Sequence, residues 1–326
     1  MVKPVFLFPG QGAQYPLMAI DLLESSAAVR ALFDQSSEAN GRDMEALLRT
    51  ADAETLKRTD VSQSAITLAN LSAAAALAER GVLPLGCAGF SLGEYAMFAV
   101  SGVLDPLACF RLVAARGKAM QETADEISAT STDGAAPGMT AVLGLPPEKV
   151  EELIAAWTAD GLTGLYPANF NSPAQTVVAG TSAALAEAEL RFKAAGAKRT
   201  IRLKVAGPFH SPLVAPAAAR FAKDLEKAEF GEPRLPLFSN VTGKRISGGA
   251  EAKALALRQI TEPVRWTAEL AAIAAAFGGV EGGLKALETG PGKVLQGLWK
   301  NSVAESPCLP GGTLADIETA VADLGQ

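Results

Sequence analysis

Histidine is nearly absent from this sequence: His210 is the only one in 326 residues. Any chemistry that needs a histidine base therefore has a single candidate. Cysteine is almost as scarce. Cys87, Cys109 and Cys308 form an odd, sparse set with neither a disulfide framework nor metal-ligand spacing. Cys87 and Cys109 lie in apolar stretches and read as core residues, and a reducing cytoplasm is the simplest expected compartment. Aromatics are only 6% of the chain, so the core must be built mainly from Ala, Leu and Val. Basic charge is short as well: 29 Lys and Arg against 35 Asp and Glu leave a formal net charge of -6. That argues against broad nucleic-acid binding but allows a local basic patch facing an acidic protein. Residues 1–5 lack the apolar h-region of a signal peptide. The uncharged run 61–78 is interrupted by Ser62, Gln63, Ser64, Asn70 and Ser72, which predicts a buried or amphipathic helix and no membrane span.

Apolar residues are plentiful, at 49%, and 326 residues suit one large domain plus a smaller one. The apolar run at 5–8 ends at Pro9-Gly10-Gln11-Gly12 and reads as a buried strand with a tight turn. A helix is expected over about 65–80, a second short strand over 86–90, and helix again after Ser91. Asp105-Pro106 starts another helix, with Asp as cap and Pro in the first position. Strands alternating with helices imply a mostly parallel sheet covered on both faces. Residues 125–137 are small and polar and read as a linker. Beyond it the order is strand 139–143, helix 147–157, strands 165–170 and 176–179 around a turn at Asn171-Ser172-Pro173, helix 183–195 and strand 200–205. That is the ferredoxin-like βαββαβ order. The expected fold is α/β: a hydrolase-like core with a mostly parallel sheet, formed by 1–126 and 206–326, with a small ferredoxin-like subdomain inserted at 127–205. Residues 305–312 read as loop, and a helix over 314–324 closes the chain.

Gly89-Phe90-Ser91-Leu92-Gly93 has the form of a nucleophile elbow, with a strand before it and a helix after. The glycines leave room for a sharp turn that lifts the Ser91 hydroxyl clear of the backbone. An incidental serine in a Gly-rich turn is the bland alternative. Ser91 needs a base, and His210 in Gly207-Pro208-Phe209-His210-Ser211-Pro212 is the one histidine available. An oxyanion hole needs two converging donors. The backbone N–H of Leu92 and that of Gln11 are candidates, although the Gln11 segment by itself also reads as a plain βα turn. Arg116 shares a helix face with Leu112 and Met120. A buried Arg needs a partner, either a substrate carboxylate or an internal Asp or Glu. Lys198, Arg202 and Lys204 alternate with Ile201, Leu203 and Val205. They read either as charges guarding an edge strand or as a docking patch for an acidic carrier.

Taken together, these segments resemble the malonyl-CoA:acyl carrier protein transacylases and the acyltransferase domains of polyketide synthases. The matching motifs are Phe8-Pro9-Gly10-Gln11-Gly12, Gly89-Phe90-Ser91-Leu92-Gly93-Glu94-Tyr95, Arg116-Gly117-x-x-Met120-Gln121 and Asn169-Phe170-Asn171-Ser172-Pro173. Gly207-Pro208-Phe209-His210-Ser211, Asn240-Val241-Thr242-Gly243, Pro263-Val264-x-Trp266 and Gly290-Pro291-Gly292-Lys293-Val294-Leu295 continue them in order, over roughly residues 4–301. The resemblance implies Ser91 as acylated nucleophile, His210 as base, and an oxyanion hole from the backbone of Gln11 and Leu92. It implies that the carbonyl of Gln259 orients His210 in place of a carboxylate. It makes Arg116 the partner of the malonyl carboxylate and places Met120, Asn169 and Phe209 around the substrate. Phe209 matches the malonyl-type pattern. The chain departs from the family at Phe90, where a histidine usually precedes the nucleophile, so the packing of the elbow is expected to differ there.

The implied reaction carries malonyl from malonyl-CoA to the phosphopantetheine thiol of an acyl carrier protein through malonyl-Ser91. It needs no metal or redox cofactor. The implied partners are the carrier and the CoA thioester, with no nucleic acid, no membrane and a monomeric working unit. Loading of polyketide synthase carriers and simple acyl hydrolysis are the alternative chemistries.

Overall fold

The computed structural model describes residues 2–130, 136–279, 281–303 and 305–325. Among them the strands form two sheets. In the first, β1 (Val5–Phe8) is central and fully buried, with β2 (Gly86–Gly89) on one side and β7 (Ala286–Glu288) then β8 (Cys308–Pro310) on the other. Every pairing in it is parallel. Strands this short and apolar on both faces need cover above and below. The helix Thr59–Glu79, the uncharged run of the sequence, belongs to the core that also takes in Phe6 and Phe8 of β1. By length and apolarity that helix could cross a membrane, yet 89% of its most apolar stretch is buried in the protein. Two of its polar residues reach outside the helix: Ser64 Oγ donates to Asn40 Oδ1 at 2.6 Å, and Asn70 Nδ2 donates to the Pro9 carbonyl at 3.0 Å.

The second sheet is antiparallel. β3 (Gly138–Leu143), β4 (Leu165–Ser172), β5 (Gln175–Gly180) and β6 (Arg199–Arg202) lie in the order β4-β5-β3-β6. With the helices Pro147–Ala159 and Ser182–Ala194 this is the expected βαββαβ arrangement.

Four local expectations are corrected. The helix opened by the Asp105 cap and Pro106 runs to Ala129, so residues 125–129 are helical and not linker. Tertiary contacts hold this end. Ile127 packs on the main core, and Arg220 pairs with Glu126 at 2.7 Å. Of the rest of the expected linker, residues 131–135 lie outside the described residues, and Thr130, Ala136 and Pro137 fall outside helix and strand. β6 stops at Arg202; the Leu203 N–H still donates to the Met139 carbonyl at 2.9 Å, and Leu203 and Val205 line the cavity described below. Lys198 and Lys204 therefore flank the strand, and the three basic residues do not share one strand face. β4 continues through Asn171 and Ser172, which narrows the turn to Pro173-Ala174. Finally, Cys308–Pro310 is a strand inside the expected loop. Pro310 is tolerated there because β8 is the sheet's edge and a missing N–H costs no ladder bond.

Candidate active site

β2 delivers the chain to a tight turn. A Cβ on Gly93 would overlap the Phe8 carbonyl, and one on Gly89 would overlap the Gly93 backbone, so both positions need glycine for space. Between them Ser91 has φ of 50°, in the left-handed region. The helix Gly93–Val100 starts directly after.

Ser91 Oγ lies 2.8 Å from His210 Nε2. His210 Nδ1 donates to the carbonyl of Gln259 at 2.8 Å, which leaves Nε2 free to accept the Ser91 proton. Gln259 ends the helix Gly249–Arg258, where carbonyls lack partners in the helix itself. The histidine is buried. Burial, and then the nearby Arg116 charge, pushes its pKa down to about 4, so the imidazole is neutral at ordinary pH.

The backbone N–H groups of Gln11 and Leu92 border the same cavity, and neither donates a hydrogen bond within the described residues. Gly10 lets the first loop come close: a Cβ there would overlap the Phe90 carbonyl and lie 3.6 Å from the Leu92 nitrogen.

Arg116 is 1% exposed. One terminal nitrogen donates to Gln63 Oε1 at 2.7 Å, the other to Gln259 Oε1 at 2.9 Å and, weakly, to Ser91 Oγ at 3.5 Å. The guanidinium also stands 5.6 Å from the Tyr95 ring. None of the ion pairs among the described residues includes Arg116, and its Nε has no partner. Burial lowers its pKa below the usual value, with Tyr95 and Glu94 opposing the shift. Glu94 is the nearby acid, and its own pKa is raised by burial to about 8. Its two oxygens accept from the Asn240 N–H and the Gln259 amide, and neither forms an ion pair with Arg116 among the described residues.

The cavity, about 300 Å³, lies between the two sheets. Ser91, His210, Arg116 and Gln11 mark its polar end. Met120, Asn169 and Phe209 line it. Phe90 borders it too, packing edge-on against Trp266 at 5.3 Å. The basic trio stands apart. Arg202 pairs with Glu189 at 3.0 Å, while Lys198 and Lys204 are exposed and join no ion pair among the described residues. No group of metal-ligating side chains occurs among them either.

Three participants were not singled out by sequence reasoning. Gln63 contacts Arg116, the Glu94 carboxyl binds the Gln259 amide, and Asn240 grips the elbow backbone. A polar residue inside an uncharged buried run was the available signal for Gln63.

Comparison with known proteins places the chain in a family. Residues 5–281 match the family described as acyl transferase domain. The chain is 37% identical to the malonyl CoA-acyl carrier protein transacylase of Escherichia coli K12 over 304 residues, 93% of this chain and 94% of that one. Among solved structures it matches MCAT from Streptococcus pneumoniae with a TM-score of 0.88 at 34% identity, over 98% of this chain and all of that one. It also matches a malonyl-transacylase solved with a type II PKS acyl-carrier protein, with a TM-score of 0.86 at 34% identity, over 99% of this chain and all of that one.

Proposed function

This chain belongs to the acyl transferase family, and on that premise we propose that it transfers malonyl from malonyl-CoA to the phosphopantetheine thiol of an acyl carrier protein. The observation that carries the reading is Arg116: a buried guanidinium 3.5 Å from Ser91 Oγ that joins no ion pair among the described residues. A carboxylate on the acyl group would supply the missing countercharge. Acyl groups that lack one would leave the charge buried and unpaired.

In the first half-reaction His210 Nε2 takes the Ser91 proton as Oγ attacks the thioester carbonyl. The bond from Nδ1–H to Gln259 O holds the required tautomer, in the place where many serine enzymes use a carboxylate. The N–H groups of Gln11 and Leu92 receive the negative charge on the carbonyl oxygen. His210 returns its proton to the departing CoA sulfur, leaving malonyl-Ser91. The carrier's thiol then attacks the acyl-serine, His210 removes the thiol proton, and Ser91 leaves as the alcohol. Met120, Asn169 and Phe209 surround the acyl group. Every group in these steps comes from one chain and from side chains or backbone, so no cofactor is invoked. Lys198 and Lys204 offer positive charge to an acidic carrier, with Arg202 already engaged by Glu189. Three free cysteines suit a reducing compartment.

A carrier of polyketide synthesis is the second reading, supported by the likeness to a transacylase solved with such a carrier. Intact mass spectrometry after exposure to a panel of acyl-CoAs tests the main one. The wild type should gain one malonyl group and Ser91→Ala none. A malonyl adduct on the variant, or none on the wild type, would overturn it.

A further inference from the structure

The elbow is held by a side chain that lies 149 residues away in sequence. Asn240 is completely buried. Its Oδ1 accepts the Ser91 N–H at 2.6 Å. Its Nδ2 donates to the Gly89 carbonyl at 2.7 Å and to Glu269 Oε2 at 2.6 Å. Its own N–H donates to Glu94 Oε1 at 2.7 Å, and its carbonyl accepts from the Arg265 N–H at 2.7 Å. One planar amide thus clamps the backbone on both sides of the turn, while its own backbone is anchored twice.

Two consequences follow for the nucleophile. A serine with φ of 50° sits in a sparsely populated conformation that persists only where its surroundings over-determine it. The two bonds to Gly89 and Ser91 supply that constraint. In addition, the N–H groups of Ser91 and Leu92, just ahead of the helix Gly93–Val100, have no partner within that helix. Asn240 captures the one on Ser91 and leaves the one on Leu92 facing the cavity. We infer that Asn240 is a positioning residue for acyl transfer, fixing the left-handed Ser91 and assigning the oxyanion donor to Leu92. It touches no reacting atom and acts through those two residues. The inference rests on the acyl transfer proposed at Ser91. Asparagine suits the position because it offers an acceptor and two donors on one short stem. Aspartate would lose both donors and add a third acid between Glu94 and Glu269, two carboxyls that burial already drives toward the protonated form.

The test is rapid-quench mass spectrometry of malonyl-Ser91 formation in Asn240→Ala and Asn240→Asp. The rate is normalised to the final adduct amplitude, so that only folded, acylatable protein counts. A fall of about tenfold or more in both variants is expected, with the preference for malonyl over acetyl unchanged, because Arg116 is untouched. A smaller fall, or a lost malonyl preference, overturns the inference. Thermal unfolding supplies a second arm that does not depend on activity. Glycine adopts φ near 50° without strain. The drop in Tm caused by Asn240→Ala should therefore shrink by about half or more in a Ser91→Gly background. An Asn240→Ala protein that fails to fold should fold in that background. An equal drop in both backgrounds, or failure to fold in both, overturns the inference. If the wild type takes no malonyl at all, the functional reading fails, while the unfolding comparison still judges the clamp.

Discussion

The candidate site and the outer edge of the antiparallel sheet treat polar groups in opposite ways. Around the parallel sheet, Arg116, Glu94, Asn240, Gln259 and His210 are buried and joined by hydrogen bonds, and the backbones of the paired Ser91 and His210 are both left-handed. Along the edge of the antiparallel sheet the charges are exposed, Arg202 makes an ordinary surface pair, and the described backbone of β6 is regular. The difference teaches where substitutions should matter. Inside, each group has partners that lose theirs when it goes, so effects are large and coupled. Outside, solvent screens each charge, so effects should be small, salt-dependent and confined to encounter with a partner.

That contrast can be broken, starting with the largest effect. Removing the base by His210→Ala should slow acylation of Ser91 by about 10²–10⁴-fold, read as the burst rate with malonyl-CoA. In the wild type the same rate should stay level as pH falls through 6.5 and decline only near pH 4. A depressed pKa keeps the base unprotonated until then. A decline centred at the ordinary histidine value would mean that the imidazole is far less buried than its surroundings imply. Next, Arg116→Ala should cost malonyl transfer about 2–5 kcal/mol while acetyl transfer changes little or improves, measured as the ratio of kcat/KM for the two thioesters. An unchanged ratio would remove Arg116 as selector.

Smaller effects belong to the outer sheet. Reversing Lys198 and Lys204 to Glu should raise the KM for the carrier several-fold and leave the KM for malonyl-CoA alone, with the difference fading at high salt. If the malonyl-CoA step suffers equally, the two lysines serve the CoA side and the contrast loses its meaning. Phe90→His should be the mildest change. It gives up an edge contact with Trp266 of about 0.5–1.5 kcal/mol, visible in Tm, and leaves the Ser91–His210 geometry in place.

Much of the site was legible in sequence because its chemistry is local. The glycines flanking Ser91 mark the elbow by spacing, and a solitary histidine leaves no competing base. The ferredoxin-like order was legible because its strands and helices alternate cleanly between turn residues. What escaped is tertiary. No pattern near Asn240 says that its amide reaches Ser91, and no property of Gln63 beyond its odd placement says that it meets Arg116. The helix end at Ala129 looked like linker because its residues are small and polar, yet Ile127 and the Arg220–Glu126 pair hold it in place. β8 is three residues long and ends in proline, so propensity argued against it and only pairing with β7 made it a strand. The Glu94 side chain sat inside a quoted motif, but nothing in that motif says that burial raises its carboxyl's pKa to about 8.

The cavity of about 300 Å³ holds one nucleophilic oxygen, and in the proposed reaction both the donor and the acceptor thiol must reach that same atom. They are therefore rivals for a single seat. Free CoA should compete with the carrier for the acylated protein, and unloaded carrier should compete with malonyl-CoA for the free one. Net flux would then be set by the cell's ratio of loaded to unloaded thiols, with the protein acting as an equilibrating valve between two pools rather than as a one-way pump.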